Sequence, residues 1–139
     1  MKVIIAGDRT INDLSIIEKA VKQSGFEIDT VISGGCQGID TLGEEWAKNK
    51  GLKVERYPAE WNNLNQPGAV PKINKWGRQY NATAGLARNE KMAKIGDALI
   101  AIQPKGPTSG TQHMIKMAKK HKIKVYEYEK SDEEYEYQF

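Results

Sequence analysis

The sequence has few of the cysteines and histidines that build disulfides and metal sites, and it lacks the long apolar runs of membrane spans. Its one cysteine, Cys36, excludes a disulfide within this chain of 139 residues and favours a reducing compartment. The two histidines, His113 and His121, stand apart without zinc spacing, so we expect no metal. No apolar run is long enough for a transmembrane helix or a signal peptide. We therefore expect a cytoplasmic protein without a membrane partner, in the host cytoplasm if a phage encodes it.

Two common nucleotide-binding motifs are also missing. The P-loop pattern GxxxxGK[ST] does not occur, and Gly34, Gly35 and Gly38 lack the GxGxxG spacing of a dinucleotide fingerprint. These glycines follow the second predicted strand, whereas such a fingerprint belongs after the first. We therefore expect neither a standard NAD dehydrogenase nor a P-loop NTPase, and no cofactor.

Charge is distributed unevenly along the chain. The formal net charge is +3, but residues 130–139 hold four acidic residues and one lysine. The preceding body has 20 basic and 14 acidic residues, which makes it +6. A basic body suits an anionic ligand. We predict one domain over residues 1–129 and an acidic, flexible tail over residues 130–139.

The apolar pattern alternates short buried strands with amphipathic helices, which predicts a Rossmann-like, doubly wound α/β fold. Its sheet has five strands, is mainly parallel in the order 3-2-1-4-5, and carries helices on both faces. Residues 60–81 are rich in Asn, Pro and Gly and too long for an ordinary connection. They are predicted to be irregular, as either a functional flap or a flexible insertion. The predicted strands are 3–6, 29–33, 52–57, 98–102 and 123–126, and the helices include 39–50, 82–95 and 111–121.

Glycine-rich and hydroxyl-rich turns follow three of these strands, at the sheet edge where α/β proteins bind ligands. A glycine-rich turn that enters a helix leaves backbone N–H groups pointing outward, which favours phosphate. We therefore predict a nucleotide- or phosphate-binding site. Its residues in these turns are Gly7, Asp8, Arg9, Ser33, Gly34, Gly35, Gly38, Asp40, Thr108, Ser109, Gly110 and Thr111.

Five motifs, "AGDR", "SGGCQGID", "PAEW", "AGLARNEKM" and "SGTQHMIKMA", resemble the SLOG superfamily. That group includes LONELY GUY-type phosphoribohydrolases and DprA proteins, and the likeness is to its small stand-alone members in bacteria and phages. The resemblance covers about residues 1–126 and leaves out the insertion and the acidic tail. It implies a Rossmann-like nucleotide-binding domain that forms a homodimer or a higher homo-oligomer.

The resemblance also assigns residues. Arg88, Asn89 and Met92 match the RxxxM-like helix motif of LONELY GUY-type enzymes, whose arginine contributes to catalysis. We add Arg88 and Asn89 to the predicted binding site, and name Arg88 and Asp8 as the catalytic residues if there are any. Met114 stands where those enzymes have a catalytic glutamate. Cleavage would then need another acid, such as Asp8, Asp40 or Glu44.

Several of these residues have ordinary structural alternatives. Asp8 is predicted to hold a ribose hydroxyl or base edge and Arg9 a phosphate, or else Asp8 caps a turn and Arg9 is solvated. Asp40 is either a ligand contact or a first-turn acid favoured by the helix dipole. Arg88 alternatively pairs with a surface acid. Cys36 is predicted to be a passive small residue.

The insertion places basic residues among aromatic ones. We predict that Trp61, Trp76 and Tyr80 stack on a base, while Lys72, Lys75 and Arg78 neutralise phosphate. The alternative is a loop that Trp76 anchors to the body.

Three functions remain open. The first is a sensor or sequestering protein, such as a phage anti-defence protein, for a nucleotide-derived signal of the ADP-ribose-like or cyclic-nucleotide kind. The second is a nucleoside-monophosphate phosphoribohydrolase or related N-glycosidase. The third is DprA-like binding of single-stranded nucleic acid, less expected because only the insertion supports it.

Overall fold

The computed structural model describes residues 1–104 and 109–130, and of Ser109 only its place in a helix. The predicted tail therefore lies outside the described residues from position 131 onward. In chain order the elements are β1 (Lys2–Gly7), α1 (Leu14–Ser24), β2 (Thr30–Ser33), α2 (Ile39–Asn49), β3 (Lys53–Arg56), β4 (Pro71–Ile73), β5 (Gln79–Asn81), α3 (Ala84–Ile95), β6 (Ala98–Gln103), α4 (Ser109–Lys120) and β7 (Lys124–Glu129).

The main sheet of the described residues has five parallel strands in the order β3-β2-β1-β6-β7. Without the two strands of the insertion, this is the order 3-2-1-4-5. The predicted Rossmann-like α/β fold is therefore confirmed. The topology reverses between β1 and β6, where ligands of such sheets bind.

The central strand β1 explains why the sheet is covered on both faces. Val3 and Ile5 pack in a core cluster with residues of α1 and α2, whereas Ile4 packs in a second cluster with Met92 and Met114 of α3 and α4. This alternation is the two-residue period of a strand. Both faces are apolar, so the strand reads as a continuous run of hydrophobic residues.

The insertion contains a regular hairpin, which the sequence analysis did not predict. Strands β4 and β5 pair in antiparallel fashion as a separate two-stranded sheet. The turn between them is closed by Asn74, whose Oδ1 accepts hydrogen bonds from the backbone N–H groups of Trp76 and Arg78 at 2.9 and 3.0 Å. Both strands have only three residues, and β4 begins at a proline, so their sequences show too little periodicity to be recognised.

Asn81, at the end of β5, ties the hairpin to the body. It is fully buried, and its Oδ1 accepts from the N–H groups of Val70 and Thr83 at 3.2 and 3.1 Å. Its Nδ2 donates to Gln66 at 2.9 Å, and its own N–H donates to the carbonyl of Trp61 at 2.6 Å. One asparagine therefore fixes both ends of the insertion.

Candidate functional site

A cavity of about 390 Å³ opens at the carboxyl ends of β1, β2 and β6. This volume lies within the range of pockets that hold small molecules. Residues from the β1 turn, the β2 turn, α3 and α4 meet there, although they are far apart in the sequence. The lining residues are Ala6, Gly7, Asp8, Arg9, Cys36, Asp40, Arg88, Asn89, Met92, Gly110, Thr111 and Met114.

Arg88 of α3 is the central cation of this cavity. Its Nη1 donates to the Gly34 carbonyl at 2.7 Å, and its Nη2 lies 3.8 Å from the Cys36 sulfur. These contacts hold the guanidinium against the β2 turn, 54 residues away in sequence. Among residues 1–104 and 109–130, no carboxylate forms an ion pair with Arg88. The predicted alternative of a surface ion pair therefore does not describe its position, and its charge is available to an anionic ligand.

The Arg88 side chain also begins a polar chain that reaches α4. Its Nε donates to Asn89 Oδ1 at 3.0 Å, and Asn89 Nδ2 lies 3.1 Å from His113 Nδ1. Burial lowers the pKa of His113 and nearby Lys116 lowers it further, which favours the neutral ring. A neutral ring can accept this bond from the amide. No local pattern in the sequence reveals this contact of His113.

Gly34 makes room for protein side chains. A Cβ built on Gly34 would lie 2.5 Å from Arg88 Nη1 and 2.8 Å from Asp40 Oδ2. Gly38 is the N-cap of α2 and has a φ of 75°. A Cβ on Gly38 would lie 2.5 Å from backbone atoms of Asp8 and Arg9. These two glycines therefore bring Arg88, Asp40 and the β1 turn together. Neither lines the cavity itself.

Asp40 is a buried carboxyl in the first turn of α2. Its Oδ2 accepts from the backbone N–H of Cys36 at 3.3 Å. Burial raises the pKa of Asp40 to about 6, although the hydrogen bond from Cys36 and the charge of Arg88 act in the opposite direction. Near neutral pH the carboxyl therefore changes charge inside the cavity wall.

Ser33 lies beneath the cavity, in the core. Its hydroxyl donates to Glu44 Oε2 at 2.7 Å and accepts from the Gly35 N–H at 3.0 Å. Glu44 also forms an ion pair with Arg56 of β3. Burial opposes ionisation of Glu44, but the hydrogen bonds from Arg56 and Ser33 outweigh it and lower its pKa. Ser33 and Glu44 therefore support the β2 turn. Neither Ser33 nor Gly35 lines the cavity.

The β1 turn presents Asp8 and Arg9 to the cavity. Asp8 Oδ1 accepts from the backbone N–H of Thr10 at 2.7 Å and also from the Thr10 hydroxyl. The Asp8 N–H donates to the carbonyl of Ile102 at 3.0 Å, which fixes the turn against β6. Asp8 therefore makes the predicted turn contact and still lines the cavity, while the Arg9 side chain is exposed.

The start of α4 forms the opposite wall. A Cβ on Gly110 would meet no atom of residues 1–104 or 110–130 within 4 Å, so no group in this part of the chain accounts for a glycine there. Thr111 is buried and, like Gly110, lines the cavity. Of the other predicted residues in this turn, Thr108 lies outside the described residues and the side chain of Ser109 is not described.

The three predicted stacking residues are not brought to this cavity. The Trp61 ring lies against Gly85, 3.4 Å from where a Cβ would be. Trp76 is at the hairpin turn with 74% of its surface exposed, and the Lys75 ammonium lies 4.6 Å from the centre of its ring. Tyr80 lies opposite Lys72 in the hairpin. Trp76 therefore does not act as the anchor of the insertion.

Three lining residues were named from the sequence but were not predicted to belong to the site. Cys36 was taken as a passive residue, whereas its sulfur contacts Arg88 in the cavity wall. Met92 and Met114 close the floor and also belong to the core cluster under α3 and α4. A methionine that lines a cavity and also packs in the core cannot be distinguished in the sequence from an ordinary core residue.

Two negative findings concern the part of the chain that the structure describes. No group of three or more His, Cys, Asp or Glu side chains is placed to hold a metal ion. None of the helices in this part has both the length and the apolar composition to cross a membrane.

Comparison with known proteins identifies the type of the first part of the chain. Residues 1–63 match the model of the YspA, cpYpsA-related SLOG family, called YAcAr. These residues are of the SLOG type. The matched segment includes the β1 and β2 turns of the cavity, and the resemblance seen in the sequence motifs is confirmed. A comparison with curated proteins found no significant match.

A solved structure supports the Rossmann-like α/β fold over nearly the whole chain. The chain is similar to DNA processing protein A (DprA) from Streptococcus pneumoniae, with a TM-score of 0.67 and 20% sequence identity. The alignment covers 94% of this chain and 51% of the DprA chain, so the chain spans about half the length of that protein. At this identity the likeness establishes the fold alone.

Proposed function

We propose that this SLOG domain binds a nucleotide or a nucleotide-derived signalling molecule, of the ADP-ribose-like or cyclic-nucleotide kind, as a sensor or sequestering protein. The proposal rests on the position of Arg88. It lies in a ligand-sized cavity at the switch point of a parallel sheet, without an ion pair among the described residues. A guanidinium held there by neutral partners suits a phosphate group, because it offers directed N–H donors and a full charge.

The remaining walls of the cavity suit the rest of a nucleotide. Among the described residues, none fills the space beside Gly110 at the start of α4, where backbone N–H groups and the helix dipole favour an anion. Asp8, on the opposite side, offers its carboxylate to a ribose hydroxyl or a base edge. Met92 and Met114 supply an apolar surface. Charge, space and apolar contact are therefore available in one cavity.

The test begins with the purified protein. It is denatured, and any released small molecule is identified by mass spectrometry. Thermal unfolding is then measured with AMP, ADP-ribose and 3′,5′-cyclic AMP. We expect at least one phosphorylated nucleoside to stabilise the fold, by about 2.7 kcal/mol when its concentration is 100 times Kd.

Two variants make this test specific to the cavity. Arg88→Gln is expected to weaken binding by about 10- to 100-fold, the value of a hydrogen bond to a charged group. Arg78→Gln removes the same charge from the exposed hairpin and should leave affinity unchanged. If no phosphorylated nucleoside is released or stabilises the fold, or if both variants bind equally, the proposal is refuted.

Asp40 favours an N-glycosidase as the second candidate. A carboxyl with a pKa of about 6 inside the cavity is partly protonated near neutral pH, and such an acid can assist departure of a base from ribose. The glutamate of LONELY GUY-type enzymes is replaced by Met114, so Asp40 would have to act in its place. Release of free base from AMP, lost in both Arg88→Gln and Asp40→Asn, would establish this activity. Stabilisation by AMP without base release would support binding alone.

A further inference from the structure

A second cavity, of about 230 Å³, lies beside the first at the carboxyl end of β3. Arg88 lines both cavities, so this residue lies between them. The insertion contributes to the second cavity but not to the first. The lining residues are Arg56, Tyr57, Pro58, Glu60, Gln66, Ala84, Arg88 and Lys91.

One helix face supplies two of the cations. Arg88 and Lys91 are three residues apart on α3, which places them on the same side of the helix. The Lys91 ammonium lies 5.3 Å from the centre of the Tyr57 ring, and it forms no ion pair within residues 1–104 and 109–130. Glu90, its neighbour in sequence, is engaged by Lys120 at 3.0 Å and by His121 at 3.3 Å.

The other charges of this cavity are already occupied or solvated. Arg56 is paired with the buried carboxylate of Glu44. Glu60, the one acid among the lining residues, is exposed, and its carboxylate accepts a hydrogen bond from Gln66 at 3.1 Å. Arg88 and Lys91 therefore outnumber the acid that faces them, and the cavity favours an anion.

We propose that the second cavity is a subsite for a second phosphate group, and that the ligand carries two phosphates with Arg88 between them. This inference rests on the proposed function, because the nucleoside of that ligand occupies the first cavity. The class of ligand is a nucleoside bisphosphate or a dinucleotide. Lys91 distinguishes such a ligand from one with a single phosphate, because only a ligand that extends past Arg88 reaches it.

The experiment uses inorganic phosphate as the probe and backbone amide NMR shifts as the measurement, with chloride holding the ionic strength constant. Tyr57 and Lys91 report on the second cavity, and Asp8 and Gly110 report on the first. We expect saturable shifts at both pairs. Lys91→Gln should weaken binding at the second pair at least tenfold and leave the first pair unchanged. Lys94→Gln, an exposed position on the same helix, is the control and should alter neither.

The outcomes separate the two proposals. Shifts at Asp8 and Gly110 alone refute the subsite and leave the proposed function standing. Shifts at Tyr57 and Lys91 alone support the subsite and count against the proposed function. Shifts at neither pair, or shifts at the second pair that survive Lys91→Gln, overturn the subsite.

A second measurement tests whether one ligand uses both cavities. Calorimetry should give adenosine 3′,5′-bisphosphate at least tenfold higher affinity than AMP, and Lys91→Gln should remove most of that difference. Equal affinity of the two nucleotides for the unmodified protein would refute a ligand with two phosphates.

Discussion

Replacing Asp40 by asparagine should change how the stability of the protein depends on pH. The carboxyl is 7% exposed and lies beside the Cys36 N–H, in the first turn of α2. Asparagine has nearly the same shape and keeps an oxygen that can accept this hydrogen bond, but it cannot ionise. The substitution therefore removes the charge while leaving the packing in place.

The expected magnitude follows from the pKa of Asp40. Burial raises it from 3.8 to about 6, and one pKa unit is worth about 1.4 kcal/mol, so ionisation in the folded protein costs about 3 kcal/mol. Below pH 4 both the folded and the unfolded chain hold the proton, and the cost is absent. Between pH 4 and 6 the unfolded chain ionises first, so the folded state loses stability as the pH rises. Above pH 6 the full cost remains.

The assay is urea unfolding of the wild type and of Asp40→Asn at pH values from 4 to 7, with the free energy of unfolding taken at each. We expect the variant to gain about 3 kcal/mol relative to the wild type across this range. Asp29, Glu44 and Glu90 have lowered pKa values and give the opposite trend, but they do so in both proteins and cancel in the difference. Glu45→Gln, an exposed carboxyl on the same helix, is the control. A difference that stays constant or falls with pH would refute the reasoning.

Three further predictions concern the glycines and the hairpin. Gly38→Ala should lower the free energy of unfolding by about 1–3 kcal/mol, measured in urea, because its φ is 75° and the new Cβ would lie 2.5 Å from backbone atoms of Asp8 and Arg9; unchanged stability would contradict this account of Gly38. Gly110→Ala should leave the fold intact or stabilise it by up to about 1 kcal/mol, since a helical alanine meets none of the atoms that the structure describes there. The same change should weaken nucleotide binding in calorimetry, and full affinity would show that no ligand approaches this residue. Changing Lys72, Lys75 and Arg78 together to glutamate should leave nucleotide affinity unchanged, because the hairpin lies outside the first cavity; binding of a single-stranded oligonucleotide that these changes abolish would instead support a DprA-like function.

Much of the site could be anticipated because parallel strands end at one edge of the sheet. The turns after β1, β2 and β6 were predicted to meet, and Asp8, Asp40 and Gly110 indeed line one cavity. Arg88 was placed there by family resemblance, since nothing in the helical pattern around it distinguishes a site residue from a surface cation.

The amino-acid sequence by itself determined the order of the five strands of the main sheet and of the helices between them, and the sheet edge at which chemistry is possible. Hydrophobic periodicity encodes these features locally. Only the tertiary structure decided how the residues at that edge are used. Arg88 occupies the space that a side chain at Gly34 would need, and the Ser33 hydroxyl donates to the buried Glu44 carboxylate. Such contacts join residues up to 54 positions apart, and no local pattern records which side chain will arrive from the other element.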